Sequence, residues 1–212
     1  MVGVAQQIKA VRAHIPSDVT LVCVSKFHPV EAIQEAYDAG ERHFGESRVQ
    51  ELQKKVAALP NDIKWHFIGH LQTNKVRDLI KLHPYLIQSI DSVHLLEAVN
   101  NEASKQGIIQ NILIEVHVAK EETKTGFSID DIPTLLSSFE RGLYPSVNHL
   151  GFMTMSTNTN NEEEIRRCFN AVRGLSAQGI MSFGMSDDYI IAIDCGANMI
   201  RIGSAIFGER NY

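Results

Sequence analysis

A lysine placed just after an apolar run is the first feature of this chain that could do chemistry. Lys26 closes Leu21-Val22-Cys23-Val24-Ser25, where a strand should stop and a side chain should face solvent or a ligand. Its amine can serve as a point charge on a phosphate or form a Schiff base with an aldehyde, and pattern alone leaves both open. The competing reading is a solvated strand-end lysine, the usual fate of this residue type. Two turns near the other terminus favour chemistry: Ser182-Phe183-Gly184-Met185-Ser186-Asp187-Asp188 and Arg201-Ile202-Gly203-Ser204-Ala205-Ile206-Phe207-Gly208. Each follows a short apolar strand and precedes helix-compatible sequence, and backbone N–H groups in such turns can hold a phosphate. Alternation along Met199-Ile200-Arg201-Ile202-Gly203 puts Arg201 on the same face as Gly203, within reach of that site. Taken alone, Arg201 reads equally well as a strand-end salt bridge.

Regular elements must bring these distant segments together. After an opening helix near residues 3 to 14, a strand at 20 to 25 leads to a helix that Pro29 starts and Gly40 ends. The unit recurs as strand 42 to 44 with helix 47 to 58, strand 64 to 68 with helix 73 to 81, and strand 85 to 90 with helix 92 to 105. The second half adds strand 110 to 118, helix 128 to 139, strand 147 to 152 and a helix over 161 to 177 opened by Glu162-Glu163-Glu164, a favourable charge at a helix amino end. Strand 180 to 183 with helix 187 to 194, then strand 198 to 202 with a helical turn near 205 to 207, complete the pattern. Eight apolar strands alternating with helices predict a single-domain α/β chain folded as a closed (β/α)8 TIM barrel over 1 to 212. In that fold the strand ends share one face, the loops after the last two strands commonly bind phosphate, and the first and eighth strands are neighbours.

Composition narrows the function classes. With 44% hydrophobic and 21% charged residues the chain reads as an ordinary soluble globular protein. A net charge of -5 without a dense Lys/Arg stripe argues against nucleic acid as the main partner. Cys23, Cys168 and Cys195 fit neither a disulfide framework nor a zinc pattern and are expected to be reduced, buried thiols. Met1 to His14 lacks the apolar stretch of a secretory signal, and no segment approaches the roughly 20 apolar residues of a membrane span. A cytoplasmic protein is expected.

Six strings together carry a resemblance. Val24-Ser25-Lys26, Phe44-Gly45-Glu46, Trp65-His66-Phe67-Ile68-Gly69, Leu71-Gln72-Thr73-Asn74-Lys75, the Phe183 to Asp188 turn and the Arg201 to Gly208 segment, in this order and at these separations, are similar to the pyridoxal phosphate homeostasis proteins (the YggS/PROSC family). That family is a barrel like the N-terminal domain of alanine racemase, without the racemase's second domain. The resemblance implies that Lys26 carries pyridoxal 5'-phosphate (PLP) as an internal aldimine. It also implies that Gly184, Met185, Ser186, Gly203 and Ser204 surround the phosphate and that Arg201 faces the pyridine nitrogen. An arginine there disfavours protonation of that nitrogen, whereas many PLP enzymes use a carboxylate to keep the ring a strong electron sink. No residue is assigned a catalytic role.

Two departures stand out. Ser47 follows Phe44-Gly45-Glu46 where the family commonly has asparagine, and His70 stands where proline is usual; Ser47 is still counted as a cofactor contact, one that loses the amide's paired donor and acceptor. His66 is a cofactor-facing candidate at the barrel mouth, with a packed or solvated histidine as its competing reading. His66 and His70 are four apart, but no glutamate lies between them and they end a strand, so no metal site is expected. Lys75, Lys120 and Lys124 read as surface residues or as the rim of an anion entrance. The chain continues only four residues beyond Gly208, leaving no room for a second domain, so a site open on one side is expected. The favoured function is a carrier that buffers PLP, sustains vitamin B6 homeostasis and contacts PLP-requiring apo-enzymes transiently, as a monomer or weak dimer. The alternatives are a PLP-dependent amino-acid racemase of low or narrow activity and a sugar-phosphate enzyme on the same barrel.

Overall fold

The structure is a computed structural model that describes residues 3–119, 125–176 and 178–208. Its strands are β1 (Thr20–Val24), β2 (His43–Glu46), β3 (Lys64–Phe67), β4 (Leu86–Ile90), β5 (Gln110–Glu115), β6 (Val147–Met153), β7 (Ile180–Ser182) and β8 (Met199–Ile202). They form one closed parallel barrel in chain order. β8 returns to β1 with Thr20 to Cys23 in register against Met199 to Ile202. The alternation expected from sequence is therefore a closed TIM barrel, as the eight-strand pattern implied.

The helices are α1 (Val4–Arg12), α2 (Val30–Asp38), α3 (Val49–Ala58), α4 (Val76–Ile80), α5 (Val93–Lys105), α6 (Ile132–Glu140), α7 (Glu162–Arg173), α8 (Tyr189–Asp194) and α9 (Ser204–Phe207). Local chemistry sets their ends. Pro29 caps α2 and Gly40, at φ 104°, follows it. Asn161 accepts the N–H groups of Glu163 and Glu164 at the start of α7, whose three leading glutamates favour the same end. The expected helix over 73 to 81 instead opens with a 3-10 turn at Thr73–Lys75, and that over 128 to 139 with one at Ile129–Asp131. The 187 to 194 helix starts only at Tyr189, because Asp188 Oδ1 accepts the Met185 N–H at 2.6 Å and closes a turn first. β5 stops at Glu115 rather than 118, beyond which Val116 makes a lone bridge to Phe127. Lys120 and Lys124 lie outside the described residues.

Strand alternation divides the apolar residues into two layers. Leu21, Cys23, Phe44, Phe67, Ile87, Ile112, Ile114, Ile200 and Ile202 pack outward under the helices. Val22, Leu86, Leu113, Met153 and Met199 form a separate cluster within the barrel. Cys23, Cys168 and Cys195 are free and buried, as expected. Among the described residues no helix is long and apolar enough to cross a membrane.

One outer contact bears directly on the mouth. Phe169 of α7 stacks on Phe183, the residue before the Gly184 turn, with ring centroids 5.5 Å apart and planes within 6°; both are fully buried. Phe169→Ala should cost about 3–5 kcal/mol in urea unfolding. A loss below about 1 kcal/mol would show that the stack contributes little.

Candidate functional site

The C-terminal ends of the strands gather the residues singled out from sequence. Lys26 lies half-buried two residues beyond β1. Gly203, next to β8, lies so close to β1 that a Cβ on it would sit 3.3 Å from Val24. His28 stacks on Phe207 of α9, ring centroids 5.0 Å apart, which ties the turn containing Lys26 to the segment after Gly203. Ser204 Oγ donates to Ser186 Oγ at 3.0 Å and joins the β7 and β8 turns. Lysine and both turns therefore share one mouth.

The turns carry unused donors. Among the described residues the N–H groups of Ser186, Gly203 and Ser204 make no backbone hydrogen bond. The N–H of Met185 differs, since Asp188 takes it, and the Met185 side chain is exposed. Gly184 has φ 89°, and a Cβ there would meet Ala192 at 2.7 Å and Tyr189 Cα at 2.9 Å, so the turn requires glycine. Its carbonyl accepts the Arg201 N–H at 3.0 Å.

Arg201 is buried inside the barrel, as its alternation with Gly203 implied, and its partners are not carboxylates. Nη1 donates to the Ser182 carbonyl at 2.6 Å and Ser182 Oγ at 2.7 Å, and Nη2 donates to the Thr154 carbonyl at 3.0 Å. Among the described residues this leaves Nε and one Nη2 hydrogen of the guanidinium's five N–H donors for a ligand. Burial lowers the Arg201 pKa to about 10, opposed by the negative charges of Asp188 and Glu115, so it stays cationic at neutral pH.

From Arg201 a line of hydrogen bonds descends through the barrel. Ser182 Oγ donates to Gln88 Oε1 at 2.6 Å, Gln88 Nε2 lies 2.8 Å from His66 Nδ1, and His66 Nε2 lies 2.9 Å from His43 Nδ1. Because Gln88 Nε2 can only donate, His66 accepts on Nδ1 and donates from Nε2 to His43. Burial lowers the pKa of both histidines, that of His43 to about 4, consistent with neutral rings. His66 is thus a packed interior residue with both nitrogens engaged. It pairs with Leu86, the first residue of β4, and so lies below the mouth it was expected to line. His70 points elsewhere: its Nδ1 is 2.9 Å from Asp91 Oδ2. Ser47 follows β2 and is pressed against Gly69, where a Cβ would come within 2.3 Å of the Ser47 carbonyl. Lys75 lies in the 3-10 turn that precedes α4.

Two site features escape the motif reading. Gln88 is a fully buried amide in a strand whose other residues are apolar except Ser89, and a large polar side chain there is the signal that could have drawn attention to it. Glu115 ends β5 on the inner-cluster side of the alternation, two residues after Leu113. It accepts from Thr125 Oγ1 at 3.2 Å, and burial, reinforced by Asp91, lifts its pKa to about 7.

The model of the alanine racemase N-terminal domain matches residues 3–211. A protein of Aquifex aeolicus named Pyridoxal phosphate homeostasis protein is 42% identical over 203 residues, covering 91% of this chain and 87% of that one. The chain belongs to the pyridoxal phosphate homeostasis protein family. A Schizosaccharomyces pombe protein of the same name is 36% identical over 205 residues, covering 91% and 85%. The solved structure of PipY from Synechococcus elongatus without PLP superposes with TM-score 0.91 at 33% identity, covering 97% of this chain and 100% of that one. PipY with PLP bound gives TM-score 0.88 at 32% identity, with the same coverage. Alanine racemase of Clostridium difficile, at 13% identity and TM-score 0.80, shares the fold; this chain spans 57% of its length.

Glu115 gives the site a measurable pH signature. Its folded pKa, about 7, lies above the ordinary 4.5, so between these values the folded state binds more protons than the unfolded state. Its contribution to stability is full below pH 4.5 and is lost as pH rises through 7. Glu115→Gln should therefore stabilise the protein at pH 8 relative to pH 5, by at most about 3 kcal/mol in urea unfolding. An unchanged pH slope would contradict this.

Proposed function

We propose that this protein binds PLP at the C-terminal mouth as an aldimine of Lys26 and acts as a carrier that buffers the cofactor, sustaining vitamin B6 homeostasis without robust catalysis. The observation that carries this reading is the convergence at one mouth of a lysine, unused backbone N–H groups on two joined turns, and a buried guanidinium with spare donors. It is supported by the relatives' name and by PipY, a close structural relative solved with PLP.

The residues fit the group. Ser186, Gly203 and Ser204 offer N–H groups and Ser186 a hydroxyl hydrogen to a phosphate, the spare donors of Arg201 suit an unprotonated pyridine nitrogen, and Gly184 keeps the turn open. Met185 borders the phosphate through its position alone, because its N–H is engaged. Ser47 offers a hydroxyl to a ring oxygen, while His66 serves at one remove by bracing Gln88. When bound, PLP supplies an aldehyde that condenses with an amine and a ring that can withdraw electrons. Arg201, a cation opposite the ring nitrogen, keeps that nitrogen unprotonated and the ring a weak electron sink. This favours a carrier over a racemase. Delivery then falls to transient contact with PLP-requiring apo-enzymes, by a monomer or weak dimer in the cytoplasm.

The test is the visible absorption spectrum of the purified protein with added PLP, before and after borohydride, with mass mapping of the modified peptide. A reducible band with a pyridoxyl adduct on Lys26 is expected, and Lys26→Ala should lose both while remaining folded by circular dichroism. A wild-type protein that forms no adduct would overturn the reading. Arg201→Glu should raise amino-acid racemisation or transamination above the wild-type level. Robust turnover by the wild type would instead make it an enzyme.

A further inference from the structure

The backbone on both sides of Lys26 is tied to a buried charge cluster outside the barrel wall. Lys55 of α3 and Glu46 of β2 are 3% and 0% exposed. Lys55 Nζ donates to Glu46 Oε1 at 2.8 Å, Glu51 Oε1 at 2.7 Å and the Ser25 carbonyl at 2.8 Å, which uses all three of its hydrogens. Ser25 Oγ donates to Glu46 Oε1 at 2.5 Å. On the other flank the Phe27 N–H donates to Glu51 Oε1 at 2.6 Å. Phe27 has φ 67°, a left-handed conformation that an aromatic residue adopts only when its surroundings impose it. One cluster thus grips residue 25 at its hydroxyl and carbonyl and residue 27 at its amide.

A packed apolar side chain at position 55 would join helix to strand at least as stably as a buried ion pair. What the ions add is direction: short bonds to three specific backbone and side-chain atoms around one residue. We infer that Glu46, Glu51 and Lys55 are positioning residues that hold the Lys26 turn in the geometry needed for covalent capture of the cofactor. The inference rests on Lys26 being the attachment point. Attachment joins Nζ to the aldehyde carbon as C=N and releases the aldehyde oxygen as water, so it depends on where Nζ stands. Noncovalent contacts to phosphate and ring belong to other strands. The cluster should therefore govern the covalent component of binding and leave the rest alone.

The experiment compares two probes on the purified protein: PLP, and pyridoxine 5'-phosphate, whose alcohol cannot bond to an amine. Glu51→Ala removes the acceptor shared by Phe27 and Lys55 at the more exposed edge of the cluster, and Glu51→Gln returns an oxygen there. Glu51→Ala should weaken PLP binding about tenfold or more and slow formation of the Lys26 adduct. It should change pyridoxine 5'-phosphate binding by less than about twofold, with Glu51→Gln restoring the PLP value. Lys55→Met should show the same split if it folds, and Glu51→Ala decides the matter if it does not. Equal weakening of both probes would make the cluster merely structural, and no change in either would leave it without a role; each outcome overturns the inference. A wild-type protein lacking the Lys26 adduct would overturn the aldimine reading before any variant is compared.

Discussion

The ladder between β1 and β8, Thr20 to Cys23 against Met199 to Ile202, joins the two ends of the sheet and leaves no open strand edge in the barrel. Residues nearly 180 positions apart in sequence become neighbours through it. Without that pairing Lys26 and the Gly203 turn would sit on opposite edges of an open sheet and share no mouth. Closure also crowds Gly203: a Cβ there would press on Val24 of β1 at 3.3 Å. The mouth is thus a product of topology first and of residue chemistry second.

Closing a narrow barrel around polar groups carries a desolvation cost, because a buried donor or acceptor left unpaired is expensive. The interior meets it in two zones. Below, Val22, Leu86, Leu113, Met153 and Met199 fill space with apolar atoms. Through and above them, Arg201, Ser182, Gln88 and His66 satisfy one another in sequence. Each link takes a donor from one strand and an acceptor from another, so the line crosses β8, β7, β4, β3 and β2. A single apolar substitution within it would orphan two neighbours at once.

How much of this was legible follows from the range of each interaction. Pro29, Gly40, the Glu162 to Glu164 run and the alternation in every strand act over a few residues, so element order, barrel closure and the position of Lys26 could be read directly. The six family strings did the rest for the mouth. Gln88 was missed because its partners, His66 and Ser182, lie 22 and 94 residues away and no local pattern joins them. Lys55 was missed for a similar reason: on a helix wheel it is one more polar residue of α3, and only the fold shows it buried. His66 was left open between the barrel mouth and a packed position because strand alternation gives the face of a residue but not its depth along the barrel axis.

The line from Arg201 to His43 has one further property. Every hydrogen in it points the same way, from the guanidinium down toward His43, so the bond dipoles add rather than cancel. The negative end of that sum rests against the buried cation. Arg201 is in effect partly hydrated by protein: the oriented oxygen lone pairs of Ser182 and Thr154 take the place of part of a water shell and cannot reorient as water would. The field at the top of the barrel is therefore set partly by a histidine at the start of β2, at the opposite mouth.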